Sequence, residues 1–268
     1  MSLRPAEPEP PRLAADRVHL LLDWFDREGR PWPWRATRNR WHVLVAEVCL
    51  QQTQVSRAAG HVEQLVRRYP TPADMAAAPL GDVLALWQGL GYPRRARNLH
   101  LSAKALAATG WPEDYTTLPG VGPYTAAALR CFADEEPVVP PDINTRRVFG
   151  RLFSDGVPDH TTHPRLRAQA WAWGQAVMEL GQRTCRARAR CWECPLQELC
   201  PSAGTEQVVA SPRQARYEGS MRQRRGVLLK AVTSGECVPR DRDGIAADSL
   251  LAEGLLALDN EGVLRPPM

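Results

Sequence analysis

A chain of 268 residues, 44% hydrophobic and with a formal net charge of +4, is long enough to bury one large or two modest cores without a metal or disulfide to hold them. Its first twelve residues are rich in Pro and Glu rather than basic then apolar, and no apolar run nears the ~18 residues of a membrane span, which excludes a secretory leader and a spanning helix from the expectations. Seven cysteines, four of them between Cys185 and Cys200, form an odd set unlike a secreted disulfide framework, so a soluble cytoplasmic protein with one metal centre is expected.

Residues 1–12 read as a disordered tail with nothing to bury. Val18, Leu21, Leu22 and Phe25 then recur at helical spacing, predicting an amphipathic helix over 13–27. Pro31-Trp32-Pro33-Trp34-Arg35 is a stiff aromatic connector. Helices are predicted over 41–59, 61–69, 73–78, 80–88, 94–109 and 125–133, divided by Pro and Gly. Others follow over 142–153 and 163–180, and the cysteine segment comes next. Period-two alternation is essentially missing up to this point, so the fold class is all-α. After a linker at 204–212, helices over 221–231 and 245–255 and a hairpin over 256–264 suggest a small winged-helix-like module.

Four features carry chemistry. Leu118-Pro119-Gly120-Val121-Gly122-Pro123-Tyr124 reads as a turn between two helices. Gly120 and Gly122 can take positive φ and bring backbone N–H groups close to an anion, although for such a turn alone a plain helix cap followed by a helix start is the commoner explanation. Glu47 interrupts the apolar run Val43–Leu50 and shares a helical face with Gln51 and Gln54. Burial there would keep it protonated and able to donate, unless an arginine elsewhere pairs it as a structural group. Asp142, behind Pro140-Pro141 at a helix start, has the opposite surroundings and should stay ionised. Asn144 is placed to orient it, and simple N-capping is the other reading. One carboxyl raised and another lowered suits cleavage of a glycosidic bond through an oxocarbenium-like transition state. Cys185-x5-Cys191-x2-Cys194-x5-Cys200 is a metal signal open to zinc or a [4Fe–4S] cluster, and its arginines, with Arg183 just before them, could clamp phosphate.

On these motifs the chain resembles the helix-hairpin-helix DNA glycosylases of the endonuclease III superfamily, and within it the adenine glycosylase family known as MutY. Gly29–Arg35 is similar to the family's Trp-Arg connector and Glu47–Val55 to its Leu-Gln-Gln-Thr segment. Gly89-Leu90-Gly91-Tyr92 with Arg95–Leu99, the hairpin 118–126 and Asp142–Val148 also correspond, in the family's order. The resemblance implies a six-helix barrel over 36–139 bearing the hairpin, and an iron-sulfur lobe over 13–35 and 140–203 that holds a [4Fe–4S] cluster through Cys185, Cys191, Cys194 and Cys200. A small C-terminal module would occupy 207–268, in place of the family's β-rich domain. It implies a nucleoid-associated monomer that binds double-stranded DNA carrying mispaired adenine in the cleft between the lobes and takes no membrane partner. Glu47 would protonate the base and Asp142, aided by Asn144, would stabilise the sugar cation. Arg35, Gln51, Gln52, Thr53, Leu90, Tyr92, Gly120 and Gly122 would meet DNA. Tyr124 stands where relatives that cut the strand have a Schiff-base lysine, which implies a monofunctional enzyme. The first cysteine gap is five residues where the family has six, and Pro93 replaces a common second aromatic. The competing expectations are a mismatch thymine or uracil glycosylase on the same scaffold and a non-catalytic iron-sulfur DNA-binding protein.

Overall fold

The computed structural model describes residues 10–159, 163–205 and 216–268, with side chains described from residue 15 on. The expected tail therefore lies outside the described residues up to position 9, and its last part belongs to the first helix, which begins at Pro10. The described residues are all-α apart from three short strands near the C-terminus. It divides into two compact units. One takes the described residues through Pro31 and those from Ala127 to Thr205; the other takes Trp32–Ala126 and the described residues from Arg216 on. No helix among the described residues is long and apolar enough to cross a membrane.

The first unit contains α1 (Pro10–Glu28), the end of α7 (Pro123–Phe132), α8 (Ile143–Leu152), α9 (Pro164–Ala168) and α10 (Ala170–Arg183). Val18, Leu21, Leu22 and Phe25 of α1 are buried with Val148 and Leu152 of α8 and Trp173 and Val177 of α10. Each such side chain stabilises the fold by about 1.5–3 kcal/mol. The helix expected over 163–180 is two helices, because Gln169 leaves helical geometry at φ −127°, ψ 37°. Gly174 permits the close approach of α7 to α10, since a Cβ there would lie 2.6 Å from Cys131 Sγ.

The second unit contains α2 (Arg40–Leu50), α3 (Val55–Arg68), α4 (Pro72–Ala77), α5 (Leu80–Leu86), α6 (Arg94–Thr109) and the start of α7. Asn39 caps α2 by accepting from the Trp41 and His42 backbone N–H groups, and Thr71 with Asp74 forms a capping box on α4. The single helix expected over 41–59 is broken after Leu50 because Gln52 adopts φ 54°. Gln54 therefore starts α3 instead of extending the Glu47 face. In the same unit follow α11 (Met221–Thr233), β1 (Val238–Pro239), α12 (Gly244–Ala252), β2 (Ala257–Leu258) and β3 (Val263–Arg265). The strands pair antiparallel in the order β1-β3-β2, with Val238 and Leu258 both opposite Leu264. The hairpin thus lies where expected, and β1, too short to show periodicity, joins it. The chain end folds back on α5, where Gly81 N–H donates to the Pro267 carbonyl at 2.9 Å.

Arg17 ties α1 to two distant loops. It is 2% exposed and makes a bidentate pair with Asp155 at 2.6 and 2.9 Å, while its Nε donates to the Leu199 carbonyl at 2.7 Å. The hydrogen bond from Arg17 holds the Asp155 carboxyl below its ordinary value of 3.8. A lowered carboxyl contributes stability above its unfolded pKa and loses it as pH falls through the folded one. Asp155→Ala is expected to destabilise the protein at neutral pH by about 1–3 kcal/mol, leaving a buried guanidinium partly unpaired. In urea titrations the gap from wild type should narrow below about pH 4.

Candidate functional site

Glu47 lies on an almost wholly apolar helix and is 6% exposed. The Tyr124 hydroxyl, from the first turn of α7, is placed to donate to Glu47 Oε2 at 3.0 Å. A phenol can donate to a carboxylate or accept from a carboxylic acid, so this contact serves either state of the glutamate. One turn further, Gln51 Nε2 donates to Thr125 Oγ1 at 3.1 Å, so the end of α2 and the start of α7 are joined by two parallel polar contacts. Burial pushes the Cys49 thiol up to about 12, which leaves it no thiolate chemistry at neutral pH.

The turn before α7 needs a glycine at one of its two positions. Gly120 has φ +77°, and a Cβ there would stand 2.7 Å from Asn98 Cβ. Ser102 Oγ holds the neighbouring Pro119 carbonyl at 2.8 Å. Gly122 has neither a positive φ nor a neighbour that a Cβ would strike, so the expectation of two conformationally demanding glycines holds for Gly120 alone.

Two exposed turns in this unit carry left-handed residues that are not glycine, Gln52 at φ 54° and Tyr92 at φ 48°. Gln52 points outward, Thr53 is half-buried, and Tyr92 is 36% exposed. Leu90 is only 4% exposed, because the turn directs it into the core, and its carbonyl accepts from Arg95 Nη2. Arg95 joins the turns. Its Nη1 donates to the carbonyls of Val48 at 2.8 Å, Cys49 at 3.1 Å and Gln51 at 2.5 Å. Its Nη2 reaches Thr53 Oγ1 at 3.1 Å and the carbonyls of Leu90 at 2.9 Å and Gly91 at 3.0 Å. The guanidinium also lies 5.2 Å from the Trp87 ring centre and 5.7 Å from that of Tyr92. Arg35, in the 3-10 turn Pro33–Ala36, is half-buried beside the stacked pair Trp32 and Trp34.

In the other unit Asp142 caps α8. Its Oδ1 accepts from the Thr145 backbone N–H at 2.7 Å, and its Oδ2 accepts from Asn144 Nδ2 at 2.8 Å. Asn144 Oδ1 in turn accepts from Arg147 Nη2 at 2.7 Å. Arg147 is 7% exposed and donates to the Cys185 carbonyl at 2.5 Å and the Gly181 carbonyl at 2.8 Å. Desolvation lowers its pKa, partly offset by Cys185 and Asp142 nearby. Asp142 thus combines capping with a fixed hydrogen-bond chain, and it borders a surface concavity of about 450 Å³ shared with Ile143, Arg146 and Gly150. The Asn144 approach depends on Gly181, where a Cβ would fall 2.7 Å from Asn144 Cβ.

Cys185, Cys191, Cys194 and Cys200 are half-buried free thiols on a segment shaped by 3-10 turns at Cys191–Glu193 and Gln197–Leu199. Among the described residues no three His, Cys, Asp or Glu side chains converge closely enough for a single metal ion. A four-iron cluster separates its thiolates further than one tetrahedral ion does, and the donor set is the one such clusters use. Burial, aided by the nearby Cys185 and Cys200 sulfurs, pushes the Cys194 thiol up to about 11. The four cysteines lie partly buried on one short segment, and four thiolates are the donor set a [4Fe–4S] cluster takes. Arg151 from α8 grips this segment through the carbonyls of Arg186 at 2.6 Å and Ala187 at 3.0 Å. Arg183, expected in a phosphate clamp, turns away to the Glu28 carbonyl and the Trp24 ring of α1.

Sequence reading leaves Arg95 and Arg147 without a role. Arg147 is three residues beyond Asn144 on one helix, a signal available in the spacing. Arg95 is more than forty residues from the α2 carbonyls it holds, and nothing local announces it.

Residues 45–174 match the model of the HhH-GPD superfamily of base excision DNA repair proteins. The chain is 38% identical to the adenine DNA glycosylase of Mycobacterium tuberculosis, across 90% of this chain and 90% of that protein. It is 36% identical to the adenine DNA glycosylase of Mycolicibacterium smegmatis, across 90% and 93%. The human adenine DNA glycosylase is 33% identical across 81% of this chain and 44% of that protein. Among solved structures, a thermostable thymine-DNA glycosylase superposes with a TM-score of 0.59 at 23% identity, covering 71% of this chain and 96% of that one. Endonuclease III in a non-covalent DNA complex superposes with a TM-score of 0.59 at 22% identity, covering 74% and 97%.

Gly181→Ala forces a methyl against Asn144 and is expected to destabilise the protein by about 1–3 kcal/mol, as overpacking of a tight helix contact does. Thermal unfolding monitored by circular dichroism measures the loss, and Gly150→Ala, whose Cβ meets nothing within 4 Å, is the control expected to show none.

Proposed function

The chain belongs to the adenine DNA glycosylase family and is a DNA glycosylase of base excision repair; from that premise we propose that it acts as a monomer on duplex DNA, removes adenine mispaired with 8-oxoguanine or guanine, and leaves the strand intact. The contact between buried Glu47 and Tyr124 carries this reading. Glu47 supplies a proton to the extruded adenine, so the electrons of the bond to C1′ depart with a better leaving group. The sugar is left cationic, and Asp142, with both oxygens held in place, supplies the opposing charge until water adds its oxygen to C1′ and releases a proton, replacing the one Glu47 gave. Strand cleavage through a Schiff base needs a lysine amine, and the position beside Glu47 holds a tyrosine, while the lysines are at 104 and 230.

Cys185, Cys191, Cys194 and Cys200 would hold a [4Fe–4S] cluster, a thiolate-bound and redox-capable brace. Arg147 and Arg151 connect the segment that carries these cysteines to the helix that carries Asp142.

Single-turnover excision on duplexes with A opposite 8-oxoguanine, A opposite G, and T or U opposite G tests the activity. Release of adenine alone is expected, with Glu47→Gln reducing the rate by at least about 100-fold, as for loss of a general acid. Release of T or U instead of A places the chain with the mismatch thymine or uracil enzymes. Borohydride should trap no efficient covalent adduct, and efficient trapping contradicts the monofunctional reading. In protein purified without oxygen, Cys194→Ser is expected to lower bound iron and the visible charge-transfer absorbance together with the thermal midpoint. Wild-type protein free of iron overturns the cluster assignment.

A further inference from the structure

The chemistry above makes no use of Arg95, yet its guanidinium donates to six acceptors. It reaches two segments far apart in sequence: the end of α2 through Val48, Cys49 and Gln51, and the turn at Leu90 and Gly91. Thr53 lies between them, accepting from Arg95 Nη2 and placed 3.4 Å from the Leu90 carbonyl. The residues thus clasped flank Gln52 and Tyr92, the two outward-facing positions of this unit held in left-handed backbone without being glycine; Glu135, in the other unit, is also left-handed. Such backbone persists only where the surroundings over-determine it. One rigid planar fork supplies that constraint to both turns at once, which a compact ammonium could not. Desolvation lowers the Arg95 pKa, consistent with a group enclosed by protein rather than reserved for solvent or phosphate.

We propose that Arg95 is a positioning residue for base extrusion, locking the Gln52 and Tyr92 turns to each other and to the carbonyl end of the Glu47 helix so that they enter duplex DNA as one preset wedge. This rests on the DNA glycosylase reading above. A wedge acts on a base that begins stacked and paired, and a base whose partner is missing needs less of it. A purely structural arginine has no such selectivity.

The test compares wild type with Arg95→Lys in single-turnover excision from two duplexes, one with adenine opposite 8-oxoguanine and one with adenine opposite an abasic site. Unstacking is followed by 2-aminopurine beside the target adenine. Arg95→Lys is expected to slow excision from the paired duplex by about 10- to 100-fold, the scale of a small misplacement of positioning groups, and to slow the abasic-opposed duplex by a much smaller factor. The 2-aminopurine signal should fall in parallel. Equal slowing on both duplexes, or an unchanged 2-aminopurine signal, overturns the proposal. Thr53→Val removes the clasp between the turns while sparing Arg95, and should show the same selectivity at lower amplitude; it carries the test if Arg95→Lys does not fold. If wild type releases no base, the enzymatic reading fails, and 2-aminopurine unstacking on binding still decides the wedge.

Discussion

Helix α2 ends at Leu50 with backbone carbonyls that no further turn can satisfy, and the guanidinium of Arg95 takes up those of Val48, Cys49 and Gln51. Burying a charge there is costly, and it is offset because both Nη groups find acceptors, although the buried Nε has none among the described residues. The consequences reach the chemistry directly. Glu47 precedes the first of these carbonyls, and the Gln51 side chain, held from behind by its own carbonyl, reaches the α7 turn that also presents Tyr124. Relaxing that end of α2 therefore moves the proton donor and its partner together.

The other unit uses the same device. Arg147 and Arg151 leave α8 to hold carbonyls of the cysteine segment, and Arg17 leaves α1 to hold Asp155 and Leu199. All three are buried. A planar fork with five N–H donors bridges irregular backbone where neither a helix nor a sheet can, which lysine cannot do as a compact point charge. Arginine has, at these positions, a structural use. Through Arg147 the device also reaches Asp142, since the same guanidinium holds Asn144, which in turn holds the aspartate.

Local grammar made much of this legible. Asp142 after two prolines announces a cap, and the structure places it as one, with both oxygens engaged. Glu47 within Val43–Leu50 is conspicuous because a carboxyl on an apolar face is unusual, and it is buried. The break at Gln52 was not legible, because nothing in Leu-Gln-Gln-Thr opposes a helix; tertiary bonds from Arg95 hold the turn. The burial of Leu90 was not legible either, because only packing shows that the turn sends it inward.

Apolar periodicity, Pro and Gly punctuation and motif order, each a property of neighbouring residues, determined by themselves the helical class, the candidate carboxylates, the cysteine set and a hairpin without a lysine. The tertiary structure alone decided which glycine the hairpin requires, that Gly181 makes room for Asn144, and which arginines serve the backbone rather than a ligand. Those outcomes depend on donors and acceptors brought together from distant parts of the chain, and a long flexible side chain carries no local trace of the carbonyl it will meet.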